Sequence, residues 1–240
     1  MLEKIEKDKM FVSNQGWLRS RFHFSFAEYR DYDNMKFGVL RVLNDDIVHP
    51  QSGFPMHPHR DMEIISYIVE GEMTHKDSMG NEKTLHRGDV QYMSAGEGIY
   101  HSEYNNHKTD DLRLLQIWIL PPRKGLSKIY DDASFGYEER KNRLLHIVSD
   151  EEGDAKVKIH QNVNIYVCEL DAGRNILHSI KENRQLYFVQ IEGTADVNGL
   201  HPQGTLHVDS GDAIKITQES RLHISALSDA HFLFIEMKAH

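Results

Sequence analysis

Apolar residues along this chain recur at every second position or in short runs, and little of the pattern has helical period. Phe22, Phe24 and Phe26 alternate with polar neighbours, which predicts a half-buried strand. Phe37-Gly-Val-Leu-Arg-Val-Leu43 predicts a second strand, closed by the turn-like Asn44-Asp45-Asp46. After a Gly53-Phe-Pro loop, the β-branched run Ile64–Val69 ends at Glu70-Gly71, and Asp77-Ser-Met-Gly-Asn81 has the composition of a hairpin turn. Gly88-Asp89 opens another strand through Met93, and Leu112–Leu120 is a long buried strand stopped by Pro121-Pro122. Residues 121–143 are polar and irregular. Strand patterns then return at 156–160, 163–170, 186–191, 194–197 and 232–237. Many strands at short spacing with glycine and asparagine turns predict an all-β chain of antiparallel barrels or sandwiches.

The second half echoes the first. Tyr67-Ile-Val-Glu-Gly is answered by Tyr187-Phe-Val-Gln-Ile-Glu-Gly, and Leu85-His-Arg-Gly88-Asp89 by Val208-Asp-Ser-Gly211-Asp212. This predicts a duplicated barrel, with domains at 1–130 and 131–240.

The candidate chemistry lies in the first copy. His57 and His59 are two residues apart, as are His101 and Glu103. On extended strands each pair points to one face, so two adjacent strands bring three imidazoles and a carboxylate into one volume. That is a metal-ligand set without thiolate, suited to Fe, Mn, Co, Ni, Cu or Zn rather than Mg or Ca. The second copy offers only His178 and His223 at comparable places, read as remnants of the duplication. His75, His86 and His107 are expected on exposed strand or turn positions. Tyr92, Met93 and Tyr100, close in sequence, are expected to shape the pocket.

Composition narrows the function classes. A net charge of −9 over 240 residues argues against nucleic acid or an anionic membrane as partner. The longest apolar runs are too short to span a bilayer. The charged start, residues 1–9, lacks the apolar stretch of a secretory signal. Cys168 is the only cysteine, so no internal disulfide forms and a cytoplasmic location is expected.

Gly53, His57, His59, Glu63 and Gly71, followed by Gly88, Ser94-Ala-Gly96, His101 and Asn105, resemble the two motifs of a cupin. Gly16-Trp17-Leu, His57-Pro-His-Arg-Asp-Met-Glu63 and Met93-Ser-Ala-Gly-Glu-Gly-Ile-Tyr-His-Ser-Glu103 more closely resemble the pirin family, chiefly its bacterial pirin-like members. The resemblance implies two tandem cupin barrels of the double-stranded β-helix, or jelly-roll, type, with the metal in the first. It implies Glu103, not Glu63, as fourth ligand beside His57, His59 and His101. Strand geometry agrees, since Glu63 lies four residues beyond His59, about 13 Å along a straight strand. Glu63 is then expected to hold a histidine N–H from behind. The family further implies one divalent transition metal, Fe(II) first and Mn, Co, Ni, Cu or Zn as alternatives. It implies a quercetin 2,3-dioxygenase-like activity on a small aromatic substrate and O₂, with Glu103 as catalytic base. The alternative is a regulatory cupin that binds a protein partner without turnover. Two barrels in one chain are expected to act as a monomer.

Overall fold

The structure, a computed structural model, describes residues 1–200 and 204–239. Its first half runs β1 (Leu2–Ile5), β2 (Phe11–Asn14), β3 (Leu18–Phe22), β4 (Leu40–Val48), β5 (Ser52–His59), β6 (Glu63–Glu70), β7 (Glu72–Asp77), β8 (Glu82–His86), β9 (Val90–Ser94), β10 (Ile99–Asn105), β11 (Leu112–Ile119) and β12 (Ile129–Ala133). A single-turn helix, α1 (Tyr137–Arg140), precedes β13 (Leu145–Asp150), β14 (Val157–Ile159), β15 (Val163–Leu170), β16 (Asn175–Ser179), β17 (Arg184–Glu192), β18 (Thr194–Asn198), β19 (Leu206–Asp209), β20 (Ala213–Ile216), β21 (Arg221–Ala226) and β22 (Ala230–Lys238). No helix among the described residues is long and apolar enough to cross a membrane.

The chain forms two compact units. The first comprises Phe11–Ser134 and Val157–Gln161; the second comprises Met1–Met10, Phe135–Lys156 and the chain from Asn162 on. Three segments lie outside a simple halving of the chain: residues 1–10, 131–134 and 157–161. Residues 129–133 stay with the first unit because β12 pairs antiparallel with β9. Residues 1–10 join the second because β1 pairs antiparallel with β20.

The first unit has a large sheet ordered β12-β9-β6-β11-β4-β3-β2 and a small one ordered β5-β10-β7-β8. In the second, the large sheet runs β1-β20-β17-β22-β15-β13 and the small one β16-β21-β18-β19. The small sheets match strand for strand, and the first six strands of the large sheets correspond in order. The repeat extends to single hydrogen bonds at the Gly-Asp turns. Gly88 and Gly211 take φ of +87° and +92°, a region that favours glycine. Asp89 then accepts the His86 N–H at 2.8 Å, and Asp212 accepts the Asp209 N–H at 3.0 Å.

The two interiors are filled differently. In the second barrel Leu186, Phe188, Leu222, Ile224, Phe232 and Phe234 pack into one apolar cluster. In the first, inward-facing Ile64 and Ile68 of β6 belong to separate apolar clusters, and the residue between them on that face is Ser66. That interruption is where the polar centre sits.

Several sequence expectations fail locally. Asn44-Asp45-Asp46 is not a turn but the middle of β4, with all three residues buried. Asp45 survives there because Arg113 grips it through Nε at 2.8 Å and NH2 at 2.7 Å. Gly53-Phe-Pro is part of β5 rather than a loop. The polar stretch after Pro122 contains β12, whose residues lack the apolar alternation that would have marked it.

Glu63 begins β6 on the face opposite Ile64 and Ser66, so it points away from the barrel interior. It is fully buried. Its carboxylate accepts the Tyr92 hydroxyl at 2.7 Å and the backbone N–H groups of His160 and Gln161 at 2.7 and 3.0 Å. The expectation that Glu63 holds a histidine ring is thus corrected: it ties segment 157–161 to the first barrel through main-chain donors. Burial raises its pKa, and the bonds from Tyr92, His160 and Gln161 pull it back. Glu63→Ala would strand one hydroxyl and two backbone donors, so a loss of about 2–4 kcal/mol is expected in urea unfolding of the metal-free protein. An unchanged midpoint would contradict this tethering role.

Candidate metal centre

The centre is built on the pairing of β5 with β10. His101 lies directly opposite His57, and Ile99 opposite His59, but beyond them Glu103 faces Phe54 rather than Pro55. One extra residue on β5 makes a bulge at Pro55-Met56, both exposed. Proline suits a bulge, since it has no N–H to give to the ladder. The bulge keeps Phe54, His57 and His59 on the inner face together. Gly53 permits the close approach: a Cβ there would sit 2.3 Å from the Glu103 carbonyl oxygen and 2.6 Å from Tyr104 Cα.

The three rings converge. Ring centroids are 4.4 Å apart for His57–His101 and 4.8 Å for both His57–His59 and His59–His101. His57 Nδ1 donates to the Pro55 carbonyl at 2.8 Å, which leaves its Nε2 as a bare lone pair. That Nε2 is 3.1 Å from His101 Nε2. Burial, reinforced by repulsion from the neighbouring imidazoles, lowers the pKa of His59 and of His101 to about 3. Both rings are therefore neutral at physiological pH, with lone pairs to offer.

A cavity of about 170 Å³ opens beside them. It is lined by His57, His59, His101, Glu103 and Gln116 together with the apolar side chains of Phe26, Phe54, Ile64 and Trp118. Trp118 meets His59 edge to face at 4.8 Å, and Phe26 meets Trp118 at 5.4 Å. Asn44 and Asp46 of β4 complete the lining. The buried Glu103 carboxylate is oriented by Ser66 Oγ at 3.0 Å from Oε1 and by Gln116 Nε2 donating to Oε2 at 2.9 Å.

His57, His59 and His101 thus form one donor cluster. Glu103 faces the same cavity, but its closest donor group is formed with His101 and His75. His75 is not exposed, as its sequence context suggested, but fully buried on the inner face of β7. Tyr92 lies on the outer face, bonded to Glu63, and Tyr100 is 54% exposed. Met93 packs with Ile64 in the core, so none of these three lines the cavity. His178 binds Glu236 at 2.8 Å in the second barrel, while His223 sits on the face opposite the core residues Leu222 and Ile224. Asp46 escaped the sequence reading because an Asn-Asp-Asp run resembles a turn. Gln116 and Trp118 had a usable signal: a polar residue interrupts an otherwise apolar strand.

Burial raises the Asp46 pKa to about 7, with repulsion from Asp45 and Glu103 adding to it and a Ser20 hydrogen bond opposing it. A group whose folded pKa exceeds its unfolded value stabilises the fold at low pH, and that stability is lost as pH rises towards the folded pKa. Metal-free Asp46→Asn protein is therefore expected to gain melting temperature relative to wild type as pH rises from about 4 to 7, with the gap constant above. A gap independent of pH would contradict a protonated Asp46.

Residues 4–119 match the Pirin family, and residues 146–237 match the family described as Quercetinase C-terminal cupin domain. The Quercetin 2,3-dioxygenase of Escherichia coli K12 is 37% identical over 225 residues, 94% of each chain. The Pirin-like protein of Caulobacter vibrioides is 36% identical over 237 residues, 98% of this chain and 99% of its own. The crystal structure of bacterial pirin YhhW from Escherichia coli in complex with nickel(II) matches with a TM-score of 0.91 at 34% identity, covering 100% of both chains. Both halves matched and relatives similar from end to end leave one assignment: the chain belongs to the pirin family of two-barrel cupin proteins.

Proposed function

We propose that this chain is a metal-dependent dioxygenase that opens the heterocyclic ring of quercetin-like flavonols with O₂. The observation that carries the proposal is three imidazoles, two of them held neutral by burial, facing one another beside a carboxylate in an aromatic-lined cavity. His57, His59, His101 and Glu103 would hold one divalent transition metal, Fe(II) first, with Mn, Co, Ni, Cu or Zn as alternatives. The donor set fits such an ion. Ligands about 2.1 Å from a metal stand about 3.0–3.4 Å from one another, and the His57 and His101 Nε2 atoms are 3.1 Å apart. The quercetin 2,3-dioxygenase name of the Escherichia coli relative supports the substrate class.

The bound ion would supply Lewis acidity towards a substrate hydroxyl and the redox chemistry that O₂ requires. The remaining work falls to the chain. Glu103, held by Ser66 and Gln116, retains lone pairs that can take the flavonol 3-hydroxyl proton. Phe26, Phe54 and Trp118 supply the apolar wall against which an aromatic ring is held and water kept out. At about 170 Å³ the cavity is smaller than the roughly 300–1,000 Å³ of drug-sized sites, so it takes the reacting ring and leaves the rest outside. Both atoms of O₂ enter the products, a ring-opened ester and carbon monoxide.

The test is O₂ uptake and carbon monoxide release with quercetin, on protein whose metal has been quantified and then exchanged through Fe(II), Mn(II), Co(II), Ni(II) and Cu(II). Metal-dependent uptake is expected. His101→Ala is expected to lose both metal and turnover, and Glu103→Gln to lower kcat by about 10²–10⁴-fold at saturating metal. Turnover that survives metal removal, or no uptake with any metal, would overturn the proposal.

A further inference from the structure

His101 has a second nitrogen that the proposed metal centre does not use. If His101 ligates through Nε2, its neutral ring carries the proton on Nδ1, and a ligating imidazole normally gives that N–H to an acceptor. His57 does so through Pro55. His101 Nδ1 is buried and has no hydrogen-bond partner in the protein.

His75 lies behind it. On β7, Asp77 is paired opposite His101 and His75 opposite Glu103. The His75 ring is stacked at 4.9 Å and 24° on Tyr130, and its centroid is 5.3 Å from that of His101. Its Nε2 lies 3.3 Å from Asp77 Oδ2. Asp77 is an acceptor on every other side: its carboxylate takes the N–H groups of Met79 and Asn81 and the Asn81 side-chain amide at 2.8, 3.1 and 2.9 Å. His75 Nε2 must then be the donor, which leaves His75 Nδ1 as a bare lone pair. That nitrogen, too, is buried and without a partner.

With a metal on His101 Nε2, a donor without an acceptor and an acceptor without a donor therefore lie on neighbouring rings. An N–H···N bond of about 3 Å between two imidazoles puts their centroids about 5 Å apart, and the observed 5.3 Å lies close to that. We infer that His75, its tautomer set by Asp77, accepts the His101 Nδ1–H and so positions His101 for the metal. This rests on the metal-centre reading above. His75, His101 and Glu103 also lie within 4.8 Å of one another and form an alternative donor group. His75, however, already gives its Nε2–H to Asp77, and its Nδ1 is the acceptor that a ligating His101 lacks. His75 is therefore a positioning residue rather than a ligand.

The test compares wild type with His75→Leu, which cannot accept a hydrogen bond, and His75→Gln, which can. Co(II) affinity is read from visible absorption and Zn(II)-loaded protein by ¹⁵N NMR of histidine. Wild type is expected to bind one equivalent, His75→Leu about 10- to 100-fold more weakly, and His75→Gln to recover most of that loss. Gln190→Leu, which removes a buried amide of the second barrel, is expected to leave affinity unchanged. In Zn(II)-loaded wild type, His101 should show a slowly exchanging Nδ1 proton and His75 the Nε2–H tautomer; this spectrum decides the matter even if His75→Leu does not fold. A His75 protonated at Nδ1, or an affinity loss caused by Gln190→Leu in place of His75→Leu, would overturn the inference. So would two metal equivalents in wild type falling to one in His75→Leu, which would make His75 a ligand. One equivalent bound equally well by wild type and His75→Leu would remove the role of His75 and leave the metal centre standing. No metal in wild type would remove both.

Discussion

Everything in the first barrel depends on how β5 lies against β10. The ladder places His57 opposite His101, and one extra residue at Pro55-Met56 restores the inward phase for Phe54 beyond the histidines. Without that bulge, strict alternation would turn either the histidine pair or Phe54 outward. Gly53 lets the two backbones come close enough for the pairing to continue past Glu103. The histidine cluster therefore follows from main-chain hydrogen bonding as much as from side-chain chemistry. Desolvation then sets its protonation state. Buried imidazoles that crowd one another stay neutral, and neutral imidazoles carry the lone pairs that a metal needs.

The comparison of the two barrels shows what the duplication preserved. Strand order and the Gly-Asp turn hydrogen bonds persist in both. What differs is the inward face. On β21, the counterpart of β10, the inward residues are Leu222 and Ile224, which belong to a large apolar cluster. The first barrel gives up part of that packing for a polar interior of Ser66, His75, Gln91, His101, Glu103 and Gln116, all buried. Buried polar groups are costly unless satisfied, so their concentration in one barrel is itself a sign of function.

Most of the architecture was legible in the sequence because the strands are strongly apolar and the turns carry glycine at positive φ. The histidine and glutamate spacing was legible for the same reason, since a period of two is a local property. What escaped detection is non-local. Asp45 and Asp46 look like turn residues until Arg113, 68 positions away, holds one and burial in the barrel interior raises the pKa of the other. β12 and β1 have weak patterns of their own and exist because β9 and β20 offer free edges. His75 carries no sequence mark that separates it from exposed histidines; only the register of β7 against β10 puts it behind His101. Glu63 belongs to the sequence motif, yet its phase on β6 turns it to the outside of the barrel and to main-chain donors.

The most direct measurement is an anomalous-scattering crystal structure of the protein loaded with a single transition metal. One peak is expected in the first barrel, bonded to Nε2 of His57 and His101, to His59 and to a Glu103 oxygen, with none in the second barrel. A metal held by His75 in place of His57 and His59, or bound at the His178–Glu236 pair, would contradict the assignment of the centre.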